Sequence, residues 1–268
     1  MKPQTIKPVF LQIVLFYLIL GGGGAYAQTV KKPPVYVLVH GAWHGGWCWQ
    51  RVSAKLRTDG ATVYTPTLSG LGEHKNTLNM EINLDTHIED IVGFIEMEDL
   101  HDVVLVGHSY AGTVIAGVVE RIPARLKKLV FLDAMIVKNG ESALSVHPKE
   151  AQEFSENASK KDNGLSIPPF PVEAFGITNP ADVKWTSARL TPQPYKTFTQ
   201  RLVLKNSYGN HLPLIYIACT NPQMPVLKTF SDEVKRDKNW KHYTLKTGHD
   251  AMITAPDEVS DLLLSLQE

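Results

Sequence analysis

The sequence predicts an α/β fold: a mostly parallel central sheet flanked by helices on both faces, with a small, mainly helical cap inserted between two strands. Three observations carry this. From residue 34 onward, short apolar, β-branched runs alternate with amphipathic segments, the pattern of strands buried on both faces and joined by helical crossovers. A glycine-bounded turn, Gly107-His108-Ser109-Tyr110-Ala111-Gly112, joins one such run directly to a helical segment. Between Asp133 and Leu212 the alternation stops, and prolines cluster at Pro168, Pro169, Pro171, Pro180, Pro192 and Pro194. Some eighty residues are too many for a loop in a compact domain.

The first strand is the continuous apolar run 35–39. A helix follows over 49–58, closed by Asp59-Gly60, and then a short strand over 62–65. Residues 84–98 carry Ile88, Ile91, Val92 and Ile95 at helical spacing. The next strands are 103–106 and 128–132, with a helix over 110–120 between them. Beyond the insertion come strands at 214–218 and 242–245. The last helix is opened by Pro256 and runs to Leu266. The core is thus expected over 28–133 and 212–268, and the cap over 134–211.

The first 27 residues read as an export signal rather than as fold. Lys2 and Lys7 give a positive start, residues 9–20 are apolar apart from Gln12, and Ala25-Tyr26-Ala27 places small residues where a signal peptidase reads. The apolar stretch falls short of the roughly 20 residues a bilayer span needs. The mature chain is expected to begin at Gln28, secreted, and periplasmic if the source is bacterial.

Of the 268 residues, 43% are hydrophobic and 20% charged, with 27 Lys plus Arg balanced by 27 Asp plus Glu. That balance argues against nucleic acid or an anionic membrane as a partner and for a small neutral molecule. Oligomeric state leaves no mark in the sequence. The two cysteines, Cys48 and Cys219, are no disulfide framework. They follow strands that are not neighbours, so two free, buried thiols are expected. Neither has a metal-ligand companion at useful spacing, so a metal site such as zinc is not expected.

The chemistry concentrates in three loops. Ser109 stands in a tight strand-to-helix turn of the kind that thrusts a nucleophilic hydroxyl above a sheet edge. Such a turn needs small residues two positions either side, and Gly107 and Ala111 meet this. The stretch His40-Gly41-Ala42-Trp43-His44-Gly45-Gly46-Trp47 follows the first strand. Acyl transfer needs two backbone N–H donors for the developing oxyanion, and Ala42 and Tyr110 are the candidates. His40 and His44 read better as loop-shaping, hydrogen-bonded histidines than as catalytic ones. Trp43 and His44 are the loop's candidates for substrate contact, and Trp43 and Trp47 serve equally well as packing. His249, after the last strand, is the best placed of ten histidines to act as general base.

From about residue 35 onward the chain resembles the methylesterase and hydroxynitrile-lyase branch of the α/β-hydrolases, together with bacterial esterases of similar layout. The matching stretches are Val37 to Trp47, Ser69-Gly70-Leu71-Gly72, Gly107-His108-Ser109-Tyr110 and Gly248-His249. The resemblance implies an α/β-hydrolase fold and a cofactor-free serine hydrolase acting on small esters. Two departures matter. Lyases of this branch carry a lysine where this chain has Asp250, and tend to hold threonine where it has Gly41, so lyase activity is disfavoured. The family also usually takes its triad acid from the loop here reading Thr220-Asn221-Pro222-Gln223-Met224-Pro225, which has no carboxylate. Asp133, ending the strand nearer the nucleophile, is the expected substitute, with Asp250 in reserve and Asp232 weaker still.

The leading expectation is therefore a carboxylic-ester hydrolase with Ser109, His249 and Asp133 as its triad. The cap would offer Phe154, Phe170, Phe175 and Trp185 to an apolar pocket. A lactonase would use the same constellation. A binding protein derived from a decayed hydrolase is favoured only by the missing acid of the 220–225 loop. Dehalogenase and epoxide hydrolase chemistry would need aspartate in place of Ser109.

Overall fold

Six parallel strands form the central sheet in the order β2-β1-β3-β4-β7-β8: β1 (Val35–Val39), β2 (Thr62–Tyr64), β3 (Val103–His108), β4 (Leu126–Leu132), β7 (Leu214–Cys219) and β8 (Trp240–Leu245). The computed structural model describes residues 32–267. The expected leader and its cleavage site after Ala27 lie outside the described residues. Among those described, no helix is long and apolar enough to cross a membrane.

Successive side chains on each strand feed two separate cores. Val37, Val39, Leu105, Leu129 and Phe131 face one side, and Tyr36, Leu38, Val104, Val106, Val130 and Leu132 face the other. The first side is covered by α2 (Leu84–Met97), α3 (Ala111–Arg121) and α7 (Pro225–Arg236), through Ile88, Ile91, Val114, Leu227 and Phe230. The second is covered by α1 (Gln50–Thr58), α8 (Ala251–Thr254) and α9 (Pro256–Ser265), through Val52, Leu56, Met252, Val259 and Leu263. Burial on both faces is why the inner strands β1, β3, β4 and β7 carry continuous apolar runs rather than alternating ones.

Between β4 and β7 lie α4 (Lys149–Lys160), a two-stranded antiparallel pair of β5 (Ser166–Ile167) and β6 (Gln193–Pro194), α5 (Pro180–Ser187) and α6 (Lys196–Thr199). Its contribution to the large sheet is nil, and its hydrogen bonds reach the loop after β1: Trp43 Nε1–H donates to the Ile167 carbonyl, and the Thr191 N–H to the Trp43 carbonyl.

Helix α7 is missing from the sequence reading. Its apolar positions, Leu227, Phe230 and Val234, keep helical spacing but are spread thinly among charged residues. Chain order reverses at β1, with β2 on one side and β3 on the other. The loops leaving the carboxyl ends of β1 and β3 therefore diverge over a crevice, the usual ligand site of such sheets.

Candidate active site

Ser109 follows the last residue of β3 and precedes α3. Its φ of 56° is a left-handed conformation that costs a non-glycine residue energy. The surroundings fix it: the Leu132 carbonyl accepts its N–H at 3.2 Å, and its own carbonyl accepts from Gly112 and Met135, both at 3.0 Å. The turn is so tight that a Cβ on Gly107 would lie 2.7 Å from the Ala111 carbonyl oxygen. The positive end of the α3 dipole abuts the serine, where negative charge is favoured.

The Tyr110 side chain is locked below this turn. Its hydroxyl lies 3.1 Å from His87 Nδ1, while His87 Nε2 faces the Ser69 carbonyl at 3.0 Å. A carbonyl only accepts, so the His87 proton sits on Nε2 and Nδ1 accepts from the tyrosine. Burial pushes His87 down to about 4, the Ser69 carbonyl and Asp90 opposing it in part, so the ring stays neutral near pH 7. Ser69 is itself fixed by Asp90, which accepts its N–H at 2.7 Å and its hydroxyl at 2.8 Å.

His249 and Asp133 come together from opposite ends of the chain. Asp133 Oδ2 lies 2.7 Å from His249 Nδ1, and Asp133 Oδ1 accepts the Cys219 N–H at 3.0 Å. The carboxylate fixes the histidine proton on Nδ1, leaving Nε2 with its lone pair. Asp133 has a positive φ of 41°, is 1% exposed, and its N–H donates to the Ile217 carbonyl at 2.7 Å. The following residue is held by Tyr216, whose hydroxyl donates to the Ala134 carbonyl at 3.0 Å. The 220–225 loop, where the resemblance would put the acid, is pinned instead to β8 and the residues after it, through Leu245 and Thr247.

A second buried polar group lies beside this pair. His108 Nε2 donates to the His249 carbonyl at 3.0 Å, and burial holds His108 well below its ordinary pKa, so it is neutral. Asp250 is fully buried with its Oδ2 3.1 Å from His44 Nε2, and His44 Nδ1 lies 2.7 Å from the Ala42 carbonyl. Ligand atoms of His108, His249 and Asp250 lie within 4.8 Å of one another. In each, at least one donor or acceptor is already committed to the protein, so the cluster reads as a hydrogen-bond network.

The other sequence candidates fall as follows. The loop after β1 puts Ala42 next to Gly41, where a Cβ would come within 2.9 Å of both Ser109 Cβ and His108 Nδ1. No threonine fits there without displacement, which agrees with the departure from the lyase pattern. His44 does not present itself to substrate: both ring nitrogens are engaged and the residue is 2% exposed. Trp43 is packed between Phe175, with centroids 5.9 Å apart, and Phe170 at 5.2 Å. Phe175 in turn lies 6.1 Å from the His249 ring. Phe154 reaches this cluster only through Phe170. Trp185 stands apart, against Trp47, Arg51 and Arg189. Asp232 is half-exposed and paired with Lys228 at 2.6 Å, away from the site.

Sequence reasoning misses Phe198, which stacks on Tyr110 at 5.3 Å, and Gln193, whose Oε1 accepts the Trp43 N–H at 3.0 Å. It also gives His87 and His108 no part, although His108 adjoins the serine.

The residues and fold together define the class. The Alpha/beta hydrolase family matches residues 36–262, and the chain belongs to that family. Among curated relatives, a carbendazim hydrolyzing esterase from Nocardioides sp. (strain SG-4G) is 36% identical over 241 residues, covering 86% of this chain and 98% of the relative. Methylesterase 10 of Arabidopsis thaliana is 27% identical over 252 residues, covering 85% and 90%. An extracellular α/β-hydrolase from a Paenibacillus species, described as sharing structural and functional homology with tobacco salicylic acid binding protein 2, superposes with a TM-score of 0.78. It is 27% identical, over 87% of this chain and 98% of that one. Tomato methylketone synthase I, at 20% identity and a TM-score of 0.72, shares the fold. Within the family, this chain is a carboxylic-ester hydrolase.

Proposed function

We propose that the chain cleaves a small carboxylic ester through an acyl-enzyme intermediate carried on Ser109. The observation that carries this reading is the 2.7 Å bond between His249 Nδ1 and Asp133 Oδ2. It supplies an oriented base although the 220–225 loop lacks a carboxylate.

Ser109 Oγ attacks the ester carbonyl carbon as its proton passes to His249 Nε2. Asp133 stabilises the resulting imidazolium through Nδ1. The tetrahedral oxyanion takes hydrogen bonds from the Ala42 and Tyr110 amides, an arrangement in which each donor is typically worth 10²–10³ in rate. Collapse expels the alcohol, which takes the proton from His249. Water then attacks the acyl-serine, giving its proton to His249, and the acid leaves as Ser109 recovers the proton. Trp43, Phe175 and Phe198 would form the apolar wall for the substrate, and the 134–211 segment that supplies two of them would serve as the cap. Export on the leader ending at Ala27 belongs to the same proposal and rests on the pattern of residues 1–27.

A fluorophosphonate probe tests the reading, since it phosphonylates only an activated serine. Wild type should label at Ser109, located by peptide mass spectrometry, and Ser109→Ala should not label. A folded wild type that stays unlabelled would contradict the mechanism and favour a binding protein built on the same fold.

A further inference from the structure

Ala42 is held by a histidine on each side. His40 Nε2 accepts the Leu68 N–H at 3.1 Å, so the His40 proton is on Nδ1, which donates to the Gly41 carbonyl at 2.8 Å. That carbonyl and the Ala42 N–H belong to one peptide plane, so the bond sets the direction of the amide. On the other side, the Ala42 carbonyl accepts from His44 Nδ1 at 2.7 Å, and His44 Nε2 lies 3.1 Å from Asp250 Oδ2. The next amide, Trp43 N–H, goes to Gln193, and Trp43 sits at a φ of 65°. The peptide planes on both sides of Ala42 are thereby tied, through His40, His44 and Trp43, to Leu68, Asp250 and Gln193 outside the loop.

Asp250 is firmly anchored. Its N–H donates to the Phe175 carbonyl at 3.0 Å, and its carbonyl accepts from Ile253 and Thr254 in α8. It is also the residue after His249. A continuous chain of bonds therefore runs from the histidine loop through Asp250 and His44 to Ala42.

We propose that His44 and Asp250 form a buried imidazolium–carboxylate brace that sets the Ala42 amide relative to His249, making both of them positioning residues for ester hydrolysis. The proposal rests on the reading of Ala42 as an oxyanion donor. Neither side chain touches substrate, and Asp250 is distinct from the acid that orients His249.

The charge balance agrees. Burial opposes a charge on His44, but Asp250, through its charge and its hydrogen bond, and then the Ala42 carbonyl raise its pKa overall. Burial likewise opposes ionisation of Asp250, and the charge and hydrogen bond of His44 outweigh it, bringing Asp250 below the usual carboxylate value. The ionisable groups packed around the pair are His40, His108 and His249, the thiols of Cys48 and Cys219, and Asp133 on the far side of Cys219. Burial keeps His40, His108 and both thiols uncharged near pH 7, so none of them competes with His44 for the Asp250 carboxylate.

The test joins imidazole ¹⁵N NMR of the full chain to the kinetics of p-nitrophenyl acetate hydrolysis. His44 is assigned by the signal lost in His44→Gln. At pH 7 both its nitrogens should be protonated in wild type, and one should lose its proton in Asp250→Asn. Asp250→Asn should lower kcat about 10–100-fold, the scale of a misplaced donor, with KM within about twofold. The double variant should fall no further than the worse single variant, because both cut one chain. A neutral His44 in wild type overturns the brace, as does a folded Asp250→Asn or His44→Gln enzyme with kcat within twofold of wild type. Should Asp250→Asn fail to fold, His44→Gln and the wild-type spectrum decide. A wild type inactive on esters and unlabelled by fluorophosphonate would sink the esterase mechanism instead, and the His44 spectrum would still decide whether the pair is charged.

Discussion

Asp133 and His249 are 116 residues apart in sequence, yet their side chains share a 2.7 Å hydrogen bond beneath the carboxyl edge of the sheet. Asp133 leaves β4, adjacent to the serine strand β3, and reaches past the end of β7, whose Cys219 amide holds its second oxygen. One carboxylate thus ties three elements of the candidate site together.

The turn that carries Ser109 has no room for a methyl group at position 107. Gly107→Ala would place its Cβ 2.7 Å from a carbonyl oxygen that belongs to the backbone and cannot swing aside. The expected cost is about 1–3 kcal/mol, a fall in melting temperature of roughly 2–4 °C per kcal/mol for a domain of this size. Fluorophosphonate labelling should fall with it as Ser109 shifts. Calorimetry showing an unchanged Tm would mean that the turn is looser than described.

Buried neutral histidines make acid the weak side of this protein. Burial takes His40 down to about 3 and His87 to about 4, and lowers His108 as well. In the unfolded chain each titrates near 6.5, so between the two values the unfolded state binds more protons. Their contribution to stability is whole above about pH 6.5 and is lost as pH falls toward 4. His44, with its raised value, acts oppositely and weakens the fold only as pH rises through its folded pKa. Urea unfolding at pH 7 and pH 5 should show a loss on the order of 2 kcal/mol per such histidine. In His40→Gln that loss should shrink by one histidine's share. A midpoint unchanged between the two pH values would contradict the assignment.

Gln193 connects the inserted segment to the loop after β1. It is fully buried, accepts the Trp43 N–H, and donates to Thr197 Oγ1 at 2.7 Å. Gln193→Ala leaves the Trp43 N–H buried without an acceptor, which costs about 1–3 kcal/mol. It also frees a strained residue beside Ala42, so kcat should fall together with the urea midpoint. A variant that lost stability but kept kcat would show that Trp43 does not transmit its geometry to Ala42.

Both thiols are free and buried. Burial, followed by the charge of Asp250 for Cys48 and of Asp133 and then Asp250 for Cys219, raises both pKa values. Ellman's reagent should find no reactive thiol in the folded protein and two after unfolding. A fast-reacting thiol under native conditions would place one of them at the surface.

The parts of the site that repeat a backbone requirement are legible in the sequence. A nucleophile turn demands small residues around Ser109, and a buried parallel strand demands an apolar run before it. Asp133 is reached only through the family resemblance: the loop where such hydrolases usually carry the acid, here 220–225, has no carboxylate, and Asp133 ends the strand nearer the nucleophile. The brace between His44 and Asp250 is not. It depends on two side chains 206 residues apart meeting under the sheet edge, and adjacency to His249 suggests instead that Asp250 points away. Gln193 and Phe198 are equally silent, since they lie in the segment whose local pattern says least about where it docks. Helix α7 was within reach through Leu227, Phe230 and Val234, but its many charged residues dilute the apolar spacing.

The central claim is that Asp133 orients His249 for a serine nucleophile. Hydrolysis of a p-nitrophenyl ester series by wild type, Ser109→Ala and Asp133→Asn measures it most directly. Wild type should turn over, Ser109→Ala should fall to background, and Asp133→Asn should lose kcat by up to about 10⁴ while remaining folded, as expected when the histidine tautomer is no longer held. An Asp133→Asn enzyme that is folded and retains wild-type kcat would place the acid elsewhere and contradict the account.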